Sequence, residues 1–235
     1  MKTLTNNSQA NKVRGRLSKG LNQGLSLLLL AAAFIGSPAL WADVLSDIAP
    51  LQQRWADINY QLDEDKREQA FTELVGTADQ VVAANADKAE AYIWRGIIKS
   101  SLAGAKGGLG ALGVAEESKV DFEKALALDA NALQGSAYTS LGVLYFKVPG
   151  WPIGFGSDKK AAELLTKALT INPQGIDPNY FYAELLADKR DYSTAMRYLE
   201  QAKQAPKRPG RESADAGRQQ EIAMLMAKVA KKLKH

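Results

Sequence analysis

Few residues of this 235-residue chain have the types and spacing that chemistry needs. There is one histidine, His235, at the last position, and there is no cysteine. A transition-metal site draws on clustered histidine and cysteine, and a Ser-His-Asp or Cys-His set needs a histidine inside the fold. Both are excluded in their usual forms. GLGALG, Gly108 to Gly113, satisfies G-x-G-x-x-G. That fingerprint holds a dinucleotide only between a strand and a helix of a βαβ unit, and the segment before it, Ala91 to Leu102, reads as helix. Lys106 stands among glycines in AKGG, but the G-K-[ST] of a phosphate loop is missing. Carboxylates are plentiful, as in Asp63, Glu64 and Asp65 or Glu116 and Glu117. Most sit in charged turns or helix starts, where acids favour the helix dipole. Nothing in their linear order brings two carboxyls onto one pocket, as paired acid–base catalysis requires. The residue types point away from an enzyme and imply no metal and no cofactor.

The elements that would have to position any site repeat one another. DFEKALALDAN (Asp121 to Asn131), AAELLTKALTINPQ (Ala161 to Gln174) and YSTAMRYLEQAKQAP (Tyr192 to Pro206) share apolar and small-residue positions. Ala161 and Ala195, Leu165 and Leu199, and Ala168 and Ala202 are each 34 residues apart. AEAYIWRG (Ala89 to Gly96) and SAYTSLGVLY (Ser136 to Tyr145) each open a repeat, and Gly96, Gly142 and Ala183 stand where a first helix lets its partner approach. Phe122, Leu165 and Leu199, near Ala125, Ala168 and Ala202 on the second helices, fill the space between pairs. No alternating apolar run is long enough for a strand.

By these residues the stretch from Ala89 to Pro206 resembles the tetratricopeptide family, whose helix pairs stack into a superhelix. The chain is therefore expected to be all-α: a solenoid domain over 43–235 of about four helix pairs plus a C-terminal capping helix. The pairs fall over residues 45–86 (a divergent one), 87–131, 135–174 and 176–206. The cap falls over 212–234, where Ile222, Leu225, Met226, Val229 and Leu233 form one apolar stripe.

Residues 1–42 read as a signal peptide. Lys2, Lys12, Arg14, Arg16 and Lys19 precede an apolar run from Leu25 to Ile35, and small residues lead to a cut after Ala42. An uncleaved anchor is the alternative, although the run is shorter than the roughly 20 residues of a span. The whole chain has a net charge of +4, but the leader carries five of the 30 basic residues and no acid, leaving 25 against 26. The basic character thus belongs to targeting and gives no sign of nucleic-acid binding. Without cysteine the product is expected in the periplasm and not as a lipoprotein. From Lys203 onward nine basic residues meet three acids. That end is either a solvated helix face or a contact for anionic lipid or an acidic partner.

The second and third repeats depart from the period by 10 and 7 extra residues between their helices. The inserts, AGAKGGLGALGVA (Ala103 to Ala115) and KVPGWPIGFGS (Lys147 to Ser157), should be neighbours on one edge, where inserts often mark a binding face. Trp151, Ile153 and Phe155 of the second are expected to fold back as a lid over the inner groove; the alternative is that Trp151 caps the core. Family positions placed on this register put Ile93, Ile97, Thr139, Val143, Phe146, Tyr180 and Glu184 on that groove. Such a lining, mostly apolar with few hydroxyls and one acid, suits a peptide helix or an amphipathic small ligand.

The segment YFKVPGWPIGFGSDKKAAELLTKALTINPQGIDPNYFYAE is similar to a narrower group, the T-component proteins that accompany tripartite (TRAP-type) solute transporters. That resemblance implies a helical solenoid associating with a periplasmic solute-binding protein, in some cases as an oligomer. The function expected is an exported adaptor that recognises a protein partner or amphipathic ligand in its groove. The alternative is an envelope-assembly scaffold without a small-molecule pocket. A peripheral membrane contact through the basic C-terminal helix stays open.

Overall fold

A computed structural model describes residues 44–108 and 110–234. The expected leader and its cleavage point lie outside the described residues. Nine helices make up the fold among the described residues: α1 (Val44–Gln61), α2 (Glu64–Ala84), α3 (Ala89–Lys106), α4 (Gly110–Leu128), α5 (Ala132–Lys147), α6 (Asp158–Ile171), α7 (Ile176–Asp188), α8 (Tyr192–Lys203) and α9 (Glu212–Leu233). They stack as four antiparallel pairs, and α9 packs on α8, α7 and α1. The all-α solenoid expected from the repeat is what forms.

The small residues explain the pairing. A Cβ on Gly96 would stand 2.6 Å from the ring of Phe122, and one on Gly142 would stand 2.9 Å from Leu165 Cγ. Bulk at either position would drive α3 from α4 or α5 from α6. Phe122, Leu165 and Leu199 are fully buried, as are Ala125, Ala168 and Ala202. Each such large side chain contributes about 1.5–3 kcal/mol by leaving water. Ser118 Oγ donates to the carbonyl of Gly96 at 2.7 Å, locking the same close approach. Arg95 of α3 bonds buried Asp121 of α4 within its pair and reaches across to Asp79 of α2 in the pair before.

Two insertions behave differently from one another. The first is not a loop. Its residues lengthen α3 to Lys106 and start α4 at Gly110. Alanine and leucine are strong helix formers, and Gly104 and Gly113 sit on open helix surface where their cost is about 1 kcal/mol each. Lengthening also lets Ala111 and Val114 pack on the α5–α6 core. The second insertion is a loop. Gly156 N donates to Pro149 O at 2.9 Å and Ser157 N to Tyr145 O at 2.9 Å, closing it on itself. The two inserts are neighbours, for a Cβ on Gly154 of the second would stand 3.3 Å from Leu112 Cδ2 of the first.

The C-terminal helix goes beyond capping. Its apolar stripe buries Ile222 and Val229 against α7 and α8, with Leu225 and Met226 half-buried beside them. Its first turns then reach the other end of the array. Ala214 joins the core formed by α1, α2 and α3, and Gly217 rests on the ring of Tyr60.

Candidate functional site

The first helices of the four pairs, together with residues 206–211 and α9, line a half-open cavity of about 630 Å³. Local structure fixes its walls. Asn179 Nδ2 donates to the carbonyls of Pro173 and Gly175 at 2.9 and 2.8 Å, pinning the start of α7 and with it Asp177, Tyr180 and Glu184. Leu133, Gln134 and Gly135 open the α5 span with φ of 46°, 57° and 76°, a left-handed turn that presents Leu133 and Gln134 to the cavity. Gln134 Oε1 is held by Asn172 Nδ2 at 2.9 Å. The link before α9 turns at Gly210, φ 71°, and Asp215 accepts from Arg208 through both backbone N and Nε. Asp215 N donates back to Arg211 O at 2.8 Å. That knot aims Arg208 and Arg211 inward.

Five of the seven groove residues expected from the register line this cavity: Ile97, Thr139, Val143, Tyr180 and Glu184. Ile93 does not; it is buried among Ala89, Ala125, Ala132 and Ala137, on the face of α3 that packs its neighbours. Phe146 does not either. It packs half-buried on the α5–α6 core, and Lys147 Nζ lies 4.7 Å from its ring centroid. The lid expectation is corrected as well. Trp151 is 90% exposed and Ile153 61%, and neither touches the cavity or caps the core. Phe155 alone turns inward, edge-on to Tyr145 at 5.4 Å, on the outer side of α5. The prolines and glycines close the loop upon itself and leave no span with which to cross the groove.

The cavity is more highly charged than the register suggested. Arg218, buried, donates to Asp177 at 2.9 Å and to Glu221, and its guanidinium lies 4.7 and 4.4 Å from the Tyr180 and Phe181 rings. Arg208 donates to the other oxygen of Asp177 at 2.6 Å. Lys147 holds Glu184 at 2.6 Å. Burial works against ionising Asp177, but Arg218 and Arg208 outweigh it and hold the carboxyl far below its usual range. Burial pushes the Glu221 carboxyl up, against the pull of Arg218. Burial likewise pushes the Tyr60 phenol, beside α9, up to about 12.

Sequence reasoning treated the basic end as one unit. The lysines from Lys228 onward are solvent-exposed as a solvated face requires, while Arg208, Arg211 and Arg218 turn into the cavity. The missed signal was Ala214 and Gly217, small residues three apart like those that mark close approach in the repeats.

Among the described residues, three buried polar atoms on this wall have no hydrogen-bond partner: Trp94 Nε1, Glu184 Oε2 and Arg211 Nε. Native folds satisfy almost all such groups, so an orphaned set in one cavity marks a place for something else to bond. Asp177, Glu184 and Glu221 do converge here, but each spends an oxygen on a cation. Among the described residues no cluster suited to a metal ion occurs, and no helix is long and apolar enough to cross a membrane.

No family model matches the chain, and no curated protein sequence matches it. Solved structures to which it is similar include two of MamA, at 16% and 15% identity. They cover 74% and 80% of this chain and 96% and 93% of theirs, with TM-scores of 0.41 and 0.40. Another is PilF of Pseudomonas aeruginosa, at 15% identity over 80% of this chain and 91% of that one, with a TM-score of 0.33. Likeness at that level carries no argument about what this chain binds.

Proposed function

We propose that this chain is an exported binding protein that holds an amphipathic small molecule in the cavity between its helix pairs and α9, as an accessory to solute transport. The observation that carries this reading is the cavity, about 630 Å³ in volume, with Trp94, Glu184 and Arg211 each leaving a buried polar atom unpartnered in its wall. Ligand sites of this kind measure roughly 300–1,000 Å³ and combine apolar walls with a few placed polar groups. The return of α9 to α1 favours a compact ligand over a peptide helix laid along an open trough. Export rests on the leader read in residues 1–42, and the accessory role on the resemblance of the stretch from about Ala89 to Pro206 to T-component proteins.

The test is mass spectrometry of protein purified from the periplasm, under native and then denaturing conditions. A small molecule released only on denaturation, from a chain lacking its first 42 residues, is the expected result. A bare polypeptide in both conditions would refute ligand storage, and a retained leader would refute cleavage after export.

A second reading has its own support. Trp151 and Ile153 are exposed on a loop ordered by its own hydrogen bonds, so little conformational entropy remains to be lost on contact. Exposed aromatic side chains of this kind serve as anchors for protein partners. This loop suits an adaptor or an envelope-assembly scaffold, and the two roles are compatible.

A further inference from the structure

We infer that Arg211 and Trp94 form the anion-binding end of the cavity, so that its occupant is an organic carboxylate with an apolar body. This rests on the cavity being a ligand site. Four cationic side chains line the cavity: Lys147, Arg208, Arg211 and Arg218. Three are paired. Lys147 is on Glu184, Arg208 lies between Asp177 and Asp215, and Arg218 lies between Asp177 and Glu221. Arg211 differs: among the described residues no carboxylate comes within ion-pair distance of it, and its buried Nε has no hydrogen-bond partner.

What Arg211 does have is a platform. Its guanidinium lies 4.8 Å from the centroid of the Trp94 ring. Trp94 comes from α3 and Arg211 from the link before α9, so the pair forms only when the array closes. The indole is 2% exposed, and its Nε1 donor also lacks an acceptor. Indole and guanidinium nitrogens donate and never accept. A half-buried cation and a buried neutral donor therefore stand side by side, and among the described residues no acceptor meets the guanidinium Nε–H or the indole N–H. Burial first, and Arg208 second, make the Arg211 charge less favourable than usual, while Asp177 and Asp215 only partly offset this.

A carboxylate answers each of these deficits. It brings one negative charge and two coplanar oxygens, which a guanidinium fork matches with charge-assisted bonds. Beyond this end the wall offers Trp55, Ile97, Val143 and Tyr180, which ask for apolar surface. An inorganic anion would satisfy the charge and leave that surface uncovered.

The experiment is calorimetric titration of the dialysed mature protein with octanoate, 1-octanol and octylamine, which share a chain and differ in head group. Octanoate should bind at least about tenfold tighter than octanol, and octylamine weakest of all. Arg211→Gln should lose about tenfold or more for octanoate and nothing for octanol. Trp94→Phe, which keeps the ring and deletes the N–H, should lose about three- to tenfold for octanoate alone. Melting curves establish that each variant is folded; if Arg211→Gln is not, Arg211→Lys and Trp94→Phe decide by the same comparison. Equal binding of octanoate and octanol, or undiminished octanoate binding in the variants, overturns the anion site and leaves the cavity reading intact. If no probe binds and native mass spectrometry finds no occupant, both fall.

Discussion

Adding one methyl group at Gly217 tests whether α9 presses on α1. A Cβ there would stand 2.5 Å from Tyr60 Cε1 and closer still to Cγ and Cδ1. Carbon atoms rest about 3.5–4.0 Å apart, so the helices must separate by about 1 Å. The ring cannot swing clear, because Cγ is its root and a rotation about it leaves that atom in place. Overpacking of this kind costs about 1–3 kcal/mol. Alanine is also a better helix former than glycine by about 0.5–1 kcal/mol, which would mask part of the effect. Gly76 supplies the control: it lies inside α2, is exposed, and a Cβ there meets nothing within 4 Å. Gly76→Ala therefore takes the propensity gain alone, and the difference between the two variants isolates the contact. For a domain of this size ~1 kcal/mol moves Tm by about 2–4 °C, so Gly217→Ala should melt about 2–12 °C below Gly76→Ala in paired calorimetric scans. Equal melting temperatures would refute the closure of the array by α9.

Further outcomes follow from the same geometry. Gly142→Leu should lower stability by about 1–3 kcal/mol or more, because even its Cβ would press on Leu165 and the Ala161 carbonyl; an unchanged denaturant midpoint would contradict the α5–α6 pairing. Trp151→Ala should leave helicity unchanged and stability within about 0.5 kcal/mol, given its exposure, while removing capture of a protein partner; a large fall in Tm would make the residue structural. Asp177 has a folded-state pKa below its ordinary 3.8, so its stabilisation is complete above that value and is lost as pH falls below it toward the depressed one. Urea midpoints at pH 5 and pH 3 should therefore differ more for the wild type than for Asp177→Asn, and equal slopes would show that the arginine pairing adds no pH dependence.

The repeat architecture was legible because packing leaves a periodic trace. Gly96, Gly142 and Ala183 could be placed from spacing alone, since helix pairs need a small residue where backbones approach. Tyr180 and Glu184 were found on the groove by the same register. What spacing could not convey was the direction of each insert. Glycine in AGAKGGLGALGVA reads as loop, yet the surrounding alanines and leucines and a core to pack on carried the helices through. The loop with Trp151 held enough proline and glycine to close on itself, so its aromatic residues gained no route to the groove. The cationic half of the cavity was hidden for another reason. Arg208 and Arg218 gain their roles only when the C-terminal segment packs on α7, 31 and 41 residues from Asp177, and Arg211 only when it reaches Trp94 of α3, contacts that no local period encodes.

An open stack of helix hairpins can grow or shrink by whole units and can fray from either tip, because each unit leans only on the next. Joining the last helix to the first removes both freedoms. A thirty-four-residue duplication between α3 and α9 would widen the circuit, lift Gly217 from Tyr60, and part Arg211 from Trp94. The number of hairpins in this chain is thus tied to the size of what it encloses, and loosening at either terminus should spread to the middle as one transition.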